Sequence, residues 1–318
     1  MSSSSNQKKR TIVSVDGAHY LDKPVIRALK TMFPNTQVKR DQVISHPTIV
    51  LFSLFGGKNS KMIQNCNSRI LLCGEPDSTN KKQYHIIVDC KLIPNKRRND
   101  AVLVYFPFYA WSFSERFQNN PEDLLHTFSE QTSETLRKKK FCAFLYRNNV
   151  QHRNDFFHQL SKTYKQVDAL GKSCNSNPNQ STDRTVYKPG KITYNDLAVQ
   201  KYKNYKFVIA IENTVGLQGY ITEKIINPML AGAIPIYWGA PDVVQHFNEK
   251  SFINVNRLGV EGAIREIERL DKDDGAYNEM LQQNWFKKNE LPIYFESNYI
   301  ETEMRRAFRE KNHKKQSK

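Results

Sequence analysis

Long apolar runs are missing from this chain. The longest, "AVLVYFPFYAWSF" at 101–113, has 13 residues, short of the ~20 that a helix needs to cross a bilayer. The opening decapeptide "MSSSSNQKKR" carries no apolar stretch of the kind that directs secretion. Cysteine is scarce: Cys66, Cys73, Cys90, Cys142 and Cys174 make an odd set with no C-x-x-C pair. That excludes a disulfide framework and a zinc ribbon, and the eight histidines show no zinc-ligand spacing. Four of the cysteines sit in or beside apolar runs, the setting of reduced, buried thiols. These features set the expectation of a soluble, cytoplasmic protein. No phosphate-binding G-x-x-x-x-G-K-[ST] loop and no dinucleotide G-x-G-x-x-G occurs, since neither "GLQG" nor "GGK" has the spacing.

Acidic residues are also few, 32 against 48 Lys and Arg, for a net charge of +16. A nucleic-acid partner is not expected, because the basic residues are scattered and accompany no helix-turn-helix, zinc-finger or RNP signature. The exception is Arg305 to Lys318, with seven Lys or Arg against one Glu, or 7 − 1 = +6. Such a run reads as a solvated end, or, with Met304 and Phe308 four residues apart, as a peripheral contact with an anionic membrane surface.

What is present is an α/β pattern. The 318 residues suit two domains of ~150 residues. Continuous apolar runs at 11–17, 48–57, 68–76, 84–92 and 101–108 predict strands covered on both faces, as in parallel sheets. Residues 22–33 carry Val25, Ile26, Leu29 and Met32 at helical spacing. The polar stretch 118–140 reads as a connection. A second series follows: strand 141–146, a helix bearing Phe156, Phe157 and Leu160, a strand and turn at 165–171, a Ser/Asn/Pro-rich loop at 172–191, strand 206–211, a helix closed by Gly232, and strand "AIPIYWG". The boundaries drawn are 1–135 and 136–295, each Rossmann-like, then a basic end at 296–318.

Ligands of open parallel sheets bind beyond the carboxyl ends of the strands. That rule selects "GEP" with Glu75 after "RILLC", "RNNVQHR" after "FCAFLY", and "ENTVGLQGYITEK" after "FVIAI". Thr222 reads as a helix N-cap, and Arg153 and Lys224 fall at helix starts. A cation there opposes the helix dipole unless an anion lies between, and a diphosphate would be such an anion. Taken singly, each residue reads as an ordinary surface charge; their common placement at strand ends is the signal. The D-x-D at Asp271 and Asp273 follows a helical stretch and reads as a helix-ending turn, so no metal site is expected.

The stretch "KFVIAIEN…GYITEKIINPMLAGAIPIYWGAPDVVQHFNEKSFINV", with "KFCAFLYRNNVQHRNDFFHQLSKTYKQVDALGK" before it, closely resembles the donor-site region of α1,3-fucosyltransferases, glycosyltransferase family 10. The resemblance covers about residues 140–255 and thins toward the N-terminus. It implies a GT-B fold, two Rossmann-like domains facing a cleft, with an N-terminal acceptor domain and a C-terminal donor domain. It also implies inverting transfer of L-fucose from GDP-fucose to a glycan hydroxyl, in α1,3 linkage to GlcNAc or Glc, with no cofactor required. Carried over by position, Arg153 and Lys224 hold the diphosphate, Glu223 binds the ribose hydroxyls, and Asn213 and Tyr220 line the nucleotide and fucose pocket. Glu75 becomes the general base, with Asp16 and Asp89 the other N-terminal carboxylates at strand ends. Pro228 departs from the family pattern and is expected to bend its helix. The alternatives are a GT-B transferase for another nucleotide sugar, or a basic glycan- or nucleic-acid-binding protein without turnover.

Overall fold

The structure, a computed structural model, describes residues 11–16, 22–40, 42, 47–53, 66–75, 83–92, 100–113, 120–125, 128, 129, 131–175 and 194–316. Contacts divide the chain into two units, Met1–Gln118 with Ile293–Lys318, and Asn119–Pro292. Both differ from the drawn boundaries. The polar connection belongs to the second unit, where Asn278 bonds the main chain of Gln131 on both its N–H (3.0 Å) and C=O (2.8 Å). The basic end belongs to the first.

In the first unit, β1 (Thr11–Asp16), β2 (Thr36–Arg40), β3 (Ile49–Ser53), β4 (Ser68–Cys73), β5 (Ile86–Asp89) and β6 (Val102–Tyr105) form a parallel sheet in the order β2-β1-β3-β4-β5-β6. β3 and β5 are buried at every position, as their unbroken apolar sequences require. Helix α1 (Lys23–Met32) buries Val25, Ile26, Ala28 and Leu29. β2 went unread in the sequence because "TQVKR" is an edge strand with its polar side chains outward. A short helix, α2 (Phe108–Phe113), occupies the end of the long apolar run read as strand. The stretches 17–20 and 56–61, where acceptor contacts would be sought, lie outside the described residues, as does most of the Ser/Asn/Pro-rich loop.

In the second unit a short helix, α3 (Ser133–Lys138), leads into β7 (Lys140–Phe144), α4 (Gln151–Thr163), β8 (Asp168–Ala169), α5 (Tyr194–Tyr202), β9 (Tyr205–Ile211), α6 (Glu223–Leu230), β10 (Ile234–Trp238), β11 (Ile253–Asn254), α7 (Val255–Lys272) and α8 (Asp274–Leu281). The sheet is again parallel, in the order β11-β10-β9-β7-β8. Alternate residues of β7 feed opposite cores: Cys142 and Phe144 pack with Phe207 and Ile209, whereas Ala143 packs with Val208 and Tyr202. Pro228 sits inside α6, which ends two residues later. Gly232 (φ 69°) then closes the turn in a left-handed conformation that favours glycine. Asp271, from the D-x-D, is committed to Lys206 (2.9 Å), Lys165 (3.1 Å) and the Tyr164 hydroxyl (2.9 Å), and Asp273 caps α8 through the Ala276 N–H.

The C-terminal helix α9 (Tyr299–Gln316) corrects the reading of the basic end. Ile300, Met304, Ala307 and Lys311 recur at helical spacing and are all buried in the first unit. The Phe308 ring meets Phe33 edge-on at 5.7 Å. Met304 and Phe308 are therefore packing residues, not a membrane-facing pair. Three of the cations serve the same packing: Arg306 donates to the Leu103 carbonyl (2.8 Å), Lys314 to that of Asp100 (2.9 Å), and Lys311 to Asn67 O (3.3 Å) and Ser68 Oγ. Among the described residues no helix is long and apolar enough to cross a membrane. Met304→Ala should lower the stability of the first unit by about 2–5 kcal/mol, the usual cost of emptying a buried site. Arg305→Ala on the exposed face should stay within about 0.5 kcal/mol. Thermal unfolding of both variants checks this, and equal melting temperatures would return α9 to the surface.

Candidate active site

In the second sheet the strand order reverses at β7: β8 is added on one side of it, and β9, its parallel neighbour although not consecutive, on the other. The crevice beyond the carboxyl ends of such a pair is where open α/β sheets bind ligands. A cavity of about 130 Å³ opens there, lined by Tyr146 and Asn148 after β7, Arg153 on α4, Asn213 after β9, and Glu223 and Lys224 on α6. Four of the five donor-site residues expected from sequence thus converge. Tyr220 does not join them: it is buried within the β9–α6 loop, and no part of the cavity is lined by it. That loop is tied down by Asp242, which accepts the Gly219 N–H at 2.9 and 3.2 Å. Glu75 belongs to the first unit and follows β4; the buried Lys91 ammonium donates to its main-chain carbonyl (3.3 Å). Asp89 is wholly buried and ion-paired with that same Lys91 (3.1 Å), so its carboxylate is already engaged. The side chain of Asp16 is outside the described residues.

Arg153 has an unusual setting. Only 1% of it is exposed, yet among the described residues no carboxylate lies within ion-pairing distance. Its guanidinium stacks 3.8 Å above the centre of the Tyr146 ring and donates from Nη2 to Asn213 Oδ1 (2.7 Å). Its Nε is buried without a partner. The ring beneath is itself fixed, since the Tyr146 hydroxyl donates to Ile209 O (2.8 Å) and accepts from the Ile211 N–H (2.8 Å). A desolvated cation is costly unless a counter-charge or strong acceptors meet it. Aromatic and amide contacts meet part of that cost, and one donor of the guanidinium stays unmet.

Lys224 is the opposite case. Its ammonium lies 3.4 Å from both Glu212 Oε2 and Glu223 Oε1 and 3.0 Å from Thr222 Oγ1. Burial would lower its pKa, but the two carboxylates outweigh burial and raise it, so the lysine stays charged. Glu212 is a residue the sequence reading quoted but gave no role. It is fully buried and accepts the Thr222 N–H (2.8 Å) on Oε1 and the Thr222 hydroxyl (2.8 Å) on Oε2. Thr222 in turn caps α6, as expected, by accepting the Lys224 N–H (3.4 Å). Burial raises the Glu212 pKa and Lys224 opposes the rise. Gly239 makes this possible: a Cβ there would stand 2.5 Å from Glu212 Cγ and 2.6 Å from the Tyr237 hydroxyl. The sequence signal was an acid directly after an apolar strand, which alone does not distinguish a buried anchor from a solvated turn.

Two outcomes follow for stability. Gly239→Ala should cost about 1–3 kcal/mol, the range for overpacking, by forcing Glu212 off Thr222. The Glu212 pKa is higher folded than its ordinary value of 4.5, so between 4.5 and the raised value the unfolded chain binds fewer protons. Its contribution is complete below 4.5 and is lost as pH rises through the folded value. Glu212→Gln should flatten that segment of a pH–stability curve; an unchanged slope would mean that another group produces it.

Comparison with known proteins identifies the family and the fold. The family described as Glycosyltransferase family 10 (fucosyltransferase) C-term matches residues 135–317, more than half of the chain. A putative fucosyltransferase of Acanthamoeba polyphaga mimivirus is 36% identical over 231 residues, 72% of this chain and 34% of its own length. An alpha-(1,3)-fucosyltransferase of Helicobacter pylori is 43% identical over 95 residues, 30% of this chain and 20% of its own. The chain thus spans about a third or less of these relatives. A crystal structure of an alpha1,3-fucosyltransferase superposes with a TM-score of 0.65 at 22% identity, covering 97% of this chain and 92% of that one, and shows that the fold is shared. Both parallel sheets are accordingly those of a GT-B protein, and the chain belongs to glycosyltransferase family 10, the fucosyltransferases.

Proposed function

We propose that this chain transfers L-fucose from GDP-fucose to a glycan hydroxyl, with inversion and in α1,3 linkage. The observation that supports it most is Arg153: a buried guanidinium with no carboxylate partner among the described residues, in a cavity at the strand reversal. Diphosphate oxygens fit that vacancy, and they gain negative charge as the sugar departs. A fixed cation placed where charge develops lowers the barrier without reorganising at the moment of reaction. The start of α6 and Lys224 add to the same field. Asn213 is oriented by Arg153 and Glu223 by Lys224, so the groups proposed for the phosphates and the ribose are held before the donor arrives. Tyr220, buried in the β9–α6 loop and not lining this cavity, is given no contact with the donor. Glu75 is the proposed base, removing the proton of the attacking hydroxyl.

With two fixed cations available, no divalent ion is needed on the diphosphate. Transfer from GDP-fucose should persist in EDTA; complete loss, restored by manganese, would overturn this. Arg153→Ala should weaken GDP by about 1.5–3 kcal/mol, the scale of charge-assisted hydrogen bonds. Lys224→Ala should cost less, because Glu212 and Glu223 already offset its charge. Titration calorimetry with GDP reads both. Glu75→Gln should leave GDP affinity unchanged and lower turnover by ~10²–10⁴; turnover equal to wild type would remove Glu75 from the mechanism. GDP-mannose competing as well as GDP-fucose would favour another donor. A relative named GDP-fucose protein O-fucosyltransferase 3, from Xenopus laevis, is 40% identical over 80 residues, 24% of this chain and 17% of its own length. A panel of N-acetyllactosamine, glucose and peptide acceptors therefore accompanies the assay, with product on the glycans as the expected result.

A further inference from the structure

Among the described residues, buried side-chain polar atoms without a partner are few: Asp22 Oδ1, Gln131 Oε1, Arg153 Nε, Asn227 Oδ1 and Asn254 Oδ1. Two of these belong to residues lining the same cavity, Arg153 and Asn227. The vacancy at Arg153 suits an anion. Asn227 is neutral and cannot be explained that way.

Asn227 lies on α6, one turn beyond Glu223, and is 3% exposed. Its Nδ2 donates to Asn195 Oδ1 at 3.0 Å, which fixes the plane of the amide and leaves Oδ1 as an unmet acceptor. Buried acceptors in native proteins nearly always have a donor, and one without a donor on a residue that lines a cavity points to a ligand donor there. Two aromatic rings, Tyr194 and Tyr202, line the cavity with it. Four residues of helix advance ~6 Å. If Glu223 meets the ribose hydroxyls, the next group along the nucleoside, the base, falls at Asn227 and the two rings.

We propose that Asn227 is a specificity-determining residue that reads the base of the donor nucleotide, its Oδ1 accepting an N–H from the edge of a purine. The inference rests on the reading that a nucleoside diphosphate fills this cavity, and adds which part of it α6 selects. Guanine carries two adjacent N–H donors on one edge, from its ring nitrogen and its amino group. Adenine and uracil each offer a single donor group, placed differently relative to the sugar. An acceptor held by Asn195 at one point along α6 therefore favours guanine.

The test is calorimetric binding of GDP, ADP and UDP to the wild type, Asn227→Leu and Asn227→Asp, with melting temperatures taken alongside. Asn227→Leu, of similar size but without the acceptor, should weaken GDP about tenfold and leave ADP and UDP within about twofold, so that base discrimination falls. Asn227→Asp retains an acceptor, with the Asn195 amide turned to donate where it now accepts, and should bind GDP within about threefold of wild type. Should the leucine variant fail to fold, Asn227→Ala replaces it with the same expectation. Wild-type GDP affinity in the leucine or alanine variant would overturn the inference. So would an equal loss for all three nucleotides, which points to the ribose or to general damage, and so would a tenfold loss in the aspartate variant. A wild-type chain that binds no GDP at all would defeat the nucleotide reading itself, a result distinct from each of these.

Discussion

The site of the second unit hangs on one buried carboxylate. Glu212 leaves the end of β9 and turns into protein rather than water, taking both the N–H and the hydroxyl of Thr222 and lying 3.4 Å from the Lys224 ammonium. Three consequences follow from that placement. The first turn of α6 is anchored to the sheet edge, the cap of the helix is oriented, and a lysine at the positive end of a helix dipole is given the negative charge that makes it tolerable. All of it requires the missing side chain of Gly239 on the neighbouring strand end.

Charge is distributed unevenly as a result. Lys224 is balanced before any ligand arrives, whereas Arg153 is not, although Arg153 is the more deeply buried. Its partners are an aromatic face and an amide, both weaker than a carboxylate. An arrangement of this kind spends folding stability on an open donor, and the arginine fork suits a phosphate better than an ammonium would. The same logic, applied to a neutral group, distinguishes Asn227 from the other polar residues of α6.

The first unit uses its polar groups differently. Asp89 and Lys91 form a buried pair at the end of β5, and the lysine also holds the main chain of Glu75 across the adjacent strand end. Three cations of α9 reach carbonyls of the same unit, one within β6 and two just ahead of β4 and β6. Three of the seven cations of the basic C-terminal run are therefore architectural. Long basic side chains can lay their methylenes on an apolar surface and still deliver a donor to its edge, which is why a run that reads as solvated can be half buried.

The sequence determined the strands and helices whose burial is continuous or sharply periodic, such as β3, β9 and α1, because hydrophobic period reports directly on which faces meet the core. It also placed Arg153, Asn213, Glu223 and Lys224 at one end of a parallel sheet, because strand ends and helix starts are local features. Edge strand β2 and the packing of α9 escaped it: a polar edge carries no apolar pattern, and the apolar positions of α9 stand among so many cations that they fit a solvated or a surface-bound helix equally well. Which charges are balanced was decided only by the tertiary structure. The pairing of Glu212 with Lys224, its dependence on Gly239, and the isolation of Arg153 come from groups brought together by strand order, and the energy of a buried charge depends on that neighbourhood rather than on the residue itself.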